Sequence, residues 1–186
     1  VANSRITGNQ SACNKALFLA STLFSRFNIE AGFIRAWNGN SDSWSIIDTL
    51  MNLPLLYWAS REIGDDRFTK VAMRHADTAI RDHIRPDGSV NHIVEHDVHT
   101  GEKIAAHAGG GLNENTSWSR GVSWAVHGSV LSYIHTKEQR YLDAAIRAAD
   151  HFIECCKKTD YLAAADFYAP AQPLYYDATA GVCAAS

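Results

Sequence analysis

RFTKVAMRHADTAI (residues 67–80) and RYLDAAIRAADHFI (residues 140–153) carry one pattern twice. In the first, Phe68, Val71, Ala72, Ala76, Ala79 and Ile80 recur at the three- and four-residue steps of one apolar helix face. In the second, Leu142, Ala145, Ile146, Ala149, Phe152 and Ile153 do the same, with Arg140, Asp143, Arg147 and Asp150 on the polar side. Arg67-Phe68 corresponds to Arg140-Tyr141, and Arg74, Ala76 and Asp77 correspond to Arg147, Ala149 and Asp150, all at a single offset. That is an internal repeat. A weaker third copy lies upstream, where residues 16–27 align with residues 72–83 and Gly32 falls where Gly88 does. The repeating unit is a helix followed by a glycine-marked turn. Residues 33–37 and 89–94, just after those glycines, read as extended, whereas residues 45–63 and 117–136 read as helices by length and periodicity.

An all-α chain of repeated helix pairs builds either an open α-solenoid or a closed α/α barrel. The segments between the helices favour the barrel. They hold Trp37, Trp44, His92, Asn113, Glu114, Trp118 and Arg120, residue types that stack on pyranose faces and satisfy hydroxyls and carboxylates. With 186 residues, 46% of them hydrophobic, residues 1–186 can form a single domain with a real core. The chain starts at Val1 without methionine or leader pattern and stops within a small-residue helix from Ala178. Both ends therefore read as cut, and the fold as part of a toroid. A net charge of −3 without a basic stripe speaks against a nucleic-acid partner. The longest apolar run, Leu53 to Ala59, is too short to span a bilayer and is broken by Pro54, which speaks against a membrane partner. Cys13, Cys155, Cys156 and Cys183 show no C-x-x-C spacing; the adjacent pair reads as packing or surface thiols, compatible with a reducing, cytoplasmic setting.

Asp48 is the lone carboxylate at the head of a very apolar segment. It has a plain reading, a first-turn acid that complements the helix dipole. However, Ile46, Ile47, Leu50 and Met51 surround it in sequence, which points the carboxyl into an enclosed space where desolvation favours the acid form. Arg120 reads equally as an oxyanion anchor or as one half of an interhelical ion pair. Trp124 lies one helical turn beyond it, on the same face. His92, His96 and His99 fall in an extended segment, where positions four apart are roughly 13 Å apart, too far to share a metal. Gly109-Gly110-Gly111 has neither the Lys-Ser/Thr ending nor the preceding strand of a phosphate loop, and reads as a flexible element near a pocket mouth.

IIDTLMNLPLLYWAS (residues 46–60), with FIRAW (residues 33–37) before it and SWSRGVSW (residues 117–124) after it, resembles glycoside hydrolase family 88, the unsaturated glucuronyl hydrolases. The resemblance runs from about Ala12 onward and covers the middle of the family's length. It implies a six-hairpin (α/α)6 barrel, Asp48 as the catalytic acid/base, and Trp37, His92, Arg120 and Trp124 as residues lining the substrate pocket. The implied partner is an oligosaccharide ending in a 4,5-unsaturated uronic acid, whose C4=C5 bond is hydrated with no cofactor and no metal. A second pocket aspartate is implied upstream of Val1; within this chain Asp42 and Glu114 are the nearest acids by sequence. The triple glycine stands where the family has Gln-Gly, so that glutamine's sugar contact is not carried over. An unsaturated rhamnogalacturonyl hydrolase, and a non-catalytic helical-repeat module that binds a glycan or a protein, remain as alternatives.

Overall fold

The computed structural model describes residues 1–39, 41–170 and 173–186. In chain order the elements are α1 (Ala2–Thr7), α2 (Gln10–Phe24), β1 (Phe27–Asn28), β2 (Phe33–Ile34), β3 (Trp44–Ile46), a 3-10 turn (Ile47–Asn52), α3 (Leu53–Ile63), α4 (Arg67–Asp82), β4 (Ile93–His96), β5 (Lys103–His107), α5 (Ser119–Thr136), α6 (Gln139–Cys156), a second 3-10 turn (Lys157–Thr159) and α7 (Ala178–Ala185). Asn9 and Asp177 cap α2 and α7 by accepting the N–H of Ala12 and Ala180, which satisfies donors that a helix start leaves free.

Burial separates the helices into two kinds. α4 and α6 bury one stripe and turn Arg74, Asp77, Asp143 and Asp150 outward. By contrast, α5 buries Ser119, Gly121, Val122, Ser123, Ala125, Val126, Gly128, Ser129 and Ser132, which cover most of its circumference and leave a strip with Arg120, Trp124, His127 and Leu131 less buried. A helix buried over most of its circumference is an inner helix. α3 packs on α4, α5 on α6, and α3 with its leading turn packs on α5. The last approach is close: a Cβ on Gly128 would come within 2.5 Å of the Leu50 Cβ. Between these helices Leu50, Leu53, Leu56, Ala72, Ala76, Val122, Ala125, Tyr141, Ala144 and Ala148 form one apolar core, each large side chain contributing about 1.5–3 kcal/mol by leaving water. Arg140 and Asp77, both from the repeated stretches, face each other at 2.7 Å and join α6 to α4. Gly32 and Gly88 both adopt the left-handed backbone, with φ of 80° and 86°, so the third copy's glycine does the same work as the second's.

Three sequence expectations need correction. The fold is mostly helical but not all-α, because β3, β4 and β5 form an antiparallel sheet in the order β3-β4-β5, and β1 pairs with β2. Residues 45–63 are not one helix. Trp44–Ile46 pairs with β4, the next six residues form the 3-10 turn, and the α-helix proper begins at Leu53. Pro54 sits in the first helical turn, where its missing N–H costs nothing, and it cannot donate an α-type bond back to the preceding turn. In α6 the buried stripe is Tyr141, Ala144, Ala145, Ala148, Phe152, Cys155 and Cys156, whereas Ile146 and Ile153 are about half exposed. The small alanines, not the large isoleucines, let α6 approach α5. The cysteines are free, and Cys155 and Cys156 are both buried. No helix among the described residues is long and apolar enough to cross a membrane.

Candidate active site

The pairing of β3 with β4 brings Asp48 to His92. The ladder runs Trp44 with Glu95, Ser45 with Val94 and Ile46 with Ile93. One step further the Ile47 N–H donates to the His92 carbonyl at 3.1 Å. Asp48 and His92 therefore leave the ladder side by side, and His92 Nε2 lies 3.1 Å from Asp48 Oδ2. The other ring nitrogen, Nδ1, receives the Gly110 N–H at 2.7 Å. An imidazole nitrogen that accepts carries no proton, so a neutral His92 holds its hydrogen on Nε2 and donates it to Asp48. Gly110 thus sets the direction of the Asp48–His92 bond.

Aromatic rings wall this pair. Trp118 lies 4.5 Å from the His92 ring, and Trp124, half-buried on α5, meets Trp118 edge-on at 5.0 Å. Arg120 lies over the Trp118 ring at 5.6 Å, and its Nε and Nη2 both reach Asp177 Oδ2 at 2.9 Å. Residues 109–118 are fastened from three sides. Asp166, buried, accepts the N–H groups of Leu112, Ser117 and Tyr168. Arg85 donates to the carbonyls of Glu114 and Thr116. Gly109 lies against the His92 ring and Gly110 against the Trp118 ring, each so closely that a Cβ would overlap it. The triple glycine is thus a packing requirement and not the flexible element the sequence suggested. Accordingly, Gly110→Ala is expected to cost about 1–3 kcal/mol, as overpacking does, and to weaken the near-ultraviolet circular dichroism of the tryptophan cluster. An unchanged spectrum and melting temperature would show that the loop can move aside.

Of the residues singled out from sequence, Asp48, His92, Arg120 and Trp124 come together around Trp118. Trp37 stands apart, 44% exposed. It meets Trp44 edge-on at 6.2 Å, and Trp44 stacks on His107 of β5 at 4.8 Å. His107 is held by Glu95 at 2.7 Å and shares a small cavity with His92, Trp118 and Asn113, which links the two aromatic groups. The enclosure expected for Asp48 is not found: its side chain is 32% exposed, because Ile47 and Leu50 turn into the core while the 3-10 turn leaves the carboxyl at the surface. Asp42 and Glu114 lie outside the core, and neither bonds to Asp48. Arg120 realises the ion-pair reading, though its side chain remains 39% exposed. His96 is fully buried and His99 exposed, and among the described residues no group of His, Cys, Asp or Glu is arranged to hold a metal. Sequence reasoning passed over Asp166 and Asp177. The second had a signal, an aspartate directly before the small-residue helix it caps; the first, in Ala165-Asp166-Phe167, had none.

No protein-family model matches the chain. It is 36% identical over 138 residues, 73% of its own length and 34% of the relative's, to the unsaturated glucuronyl hydrolase of Formosa agariphila. The crystal structure of the unsaturated glucuronyl hydrolase from Bacillus sp. GL1, described as responsible for the degradation of glycosaminoglycan, matches with a TM-score of 0.93 at 32% identity. That match covers 99% of this chain and 50% of the other. A UGL variant solved with dGlcA-Glc-Rha-Glc matches with a TM-score of 0.92 at 32% identity, again over 99% of this chain and 50% of that one. The chain thus spans about half the length of the solved structures it matches.

Proposed function

From the premise that this chain is a homologue of the unsaturated glucuronyl hydrolases, we propose that it carries the acid/base half of a glycoside hydrolase site that removes a terminal 4,5-unsaturated uronic acid from oligosaccharides. In this reading α3 and α5 are inner helices and α4 and α6 outer helices of an (α/α)6 barrel, of which residues 1–186 are one part. The observation that carries the proposal is the Asp48–His92 pair set against the Trp118–Trp124 wall.

The chemistry follows from which oxygen is occupied. His92 donates to Asp48 Oδ2, so Oδ1 is the oxygen available to move a proton. In the acid form Asp48 delivers that proton to C4 of the enol ether, and positive charge spreads over C5 and the ring oxygen. Water then adds at C5 and yields its proton to the same carboxylate, which returns the acid to its starting form. The hemiketal at C5 opens and releases the neighbouring sugar. One carboxylate suffices because the anomeric carbon is never attacked, unlike ordinary glycoside hydrolysis with its two flanking carboxylates. Trp118 offers a ring face to the sugar. Arg120, its plane fixed by Asp177, keeps Nη1 for the uronate carboxylate.

The test follows the ultraviolet absorbance of an unsaturated uronyl disaccharide incubated with the chain, because hydration destroys the conjugated double bond. Tryptophan fluorescence is followed in parallel as a report on binding at Trp118 and Trp124. Loss of absorbance together with a fluorescence change supports the hydrolase. Binding without turnover favours the second reading, a non-catalytic glycan-binding module, for which the partial exposure of Asp48 speaks. If a folded chain gives neither signal, the substrate class is wrong.

A further inference from the structure

Ser45, the central residue of β3, is fully buried, and so are His83 and His96. Ser45 Oγ lies 2.7 Å from His83 Nε2 and 2.9 Å from His96 Nε2. On its far side, His83 Nδ1 lies 2.9 Å from the Asn91 carbonyl. Burial pushes the His83 imidazole down to about 4, so the ring is neutral near pH 7. A carbonyl can only accept, so that neutral ring carries its proton on Nδ1 and offers a lone pair at Nε2. The one hydroxyl hydrogen of Ser45 therefore goes to His83, and His96 must donate its Nε2–H to Ser45 Oγ. A single carbonyl fixes the direction of every bond in the relay.

Two members of this relay lie next to the two residues of the candidate site. Ser45 stands three residues before Asp48 on the same strand and turn. The Asn91 carbonyl belongs to the peptide bond that leads into His92, and the His92 carbonyl accepts from Ile47. Both peptide units that flank His92 are thus held, one by His83 from the end of α4 and the other by the residue before Asp48. The relay makes no hydrogen bond to the side chain of Asp48 or of His92. A buried hydroxyl and two imidazoles are costly to desolvate, and here they are spent on a directional tie that an apolar core could not make.

We infer that Ser45 and His83 are positioning residues: by tying β3 to the Asn91–His92 peptide, they set the 3.1 Å spacing between Asp48 Oδ2 and His92 Nε2. The part of this that concerns turnover rests on the hydrolase reading; the part that concerns geometry does not. The relay is outside the reach of any ligand at Asp48, so its effect is on the rate constant and not on affinity.

The experiment is NMR of the imidazole nitrogens in the 186-residue chain, with the absorbance assay alongside. In the wild type His92 shows one tautomer, protonated on Nε2. Ser45→Ala shifts the His92 Nε2 signal as its bond to Asp48 loosens, with Nδ1 still held by Gly110, and lowers kcat by about tenfold to a hundredfold with KM little changed, the penalty of a small misplacement. Ser45→Thr keeps the hydroxyl and restores both. Val94→Ala, buried on the paired strand but outside the relay, lowers the melting temperature and leaves the His92 signals alone. The inference is overturned if Ser45→Ala melts earlier with unchanged His92 signals, or if Val94→Ala shifts the His92 Nε2 signal equally. A shifted His92 Nε2 signal in Ser45→Ala beside a wild type that never turns over substrate would leave the relay standing and remove the hydrolase.

Discussion

Asp48→Asn is expected to lower turnover of an unsaturated uronyl disaccharide by about 10²–10⁴-fold, the range a positioned acid/base group contributes, while the fold and ligand binding persist. The geometry makes this substitution a clean one. An asparagine carbonyl oxygen can still accept His92 Nε2–H where Oδ2 does now, and with the side chain one-third exposed no buried charge is left unpaired by the change. What disappears is the second oxygen's capacity to give and take a proton. The measurement is the rate of absorbance loss, beside tryptophan quenching by the same sugar and a thermal melt. A rate within a few-fold of wild type would remove Asp48 from the chemistry, and with it the reading that one carboxylate serves as both acid and base. A lost rate accompanied by lost quenching would instead make Asp48 a binding residue.

How far the site was legible in the sequence depended on the range of the signal. Asp48, Arg120 and Trp124 were singled out because each lies in a local motif, and His92 because the family resemblance implied it; the four gather around one aromatic wall. Their mutual arrangement was not legible, because it is made by the pairing of β3 with β4, a contact between segments that share no sequence pattern. The same holds for the triple glycine. A glycine run is ambiguous between freedom and close approach, and only the His92 and Trp118 rings lying against it decide the matter. In the fold, the repeated helices were legible because apolar periodicity is local and strong. The inner helix α5 was expected from length and periodicity, although its buried face holds serine and glycine as much as valine and so carries a weak apolar period. The face of α6 was misjudged for a related reason. Hydropathy ranks isoleucine above alanine, but close helix packing favours the alanine stripe, and Ile146 was left near the outside. Asp166 shows the limit most plainly, as one buried carboxylate that fastens three backbone groups, two of them distant in sequence, and carries no mark of that role in its neighbours.

Stability is expected to fall by several kcal/mol between about pH 6.5 and pH 4, the second large effect. His75 and His83 are both fully buried. Burial pushes His75 down to about 3 and His83 to about 4, from an ordinary histidine value of 6.5, and neighbouring histidines act in the same direction. Burial also lowers His96, which the nearby Asp82 partly opposes. For His75 the hydrogen bonding agrees with a neutral ring, since its Nδ1 accepts the Ile34 N–H and so has no proton there. The unfolded chain takes up protons on these rings as pH drops through 6.5, while the folded chain does not until pH 4 or below. Between those limits the unfolded state binds more protons, so stability is full above 6.5 and is lost on acidification. A tenfold difference in proton affinity between the folded and unfolded chain corresponds to about 1.4 kcal/mol, so two such rings draw on a large part of the about 5–15 kcal/mol that holds a typical domain together. Urea unfolding at about pH 7 and about pH 4.5, either side of the ordinary histidine range, measures the loss directly. His83→Asn, whose amide can still donate to the Asn91 carbonyl, is less stable near neutral pH but loses part of the pH dependence, because the titrating ring is gone. Equal unfolding free energies at the two pH values would mean that these rings take up protons as readily in the folded chain as in the unfolded one, and the hydrogen-bond directions assigned around Ser45 would have to be redrawn.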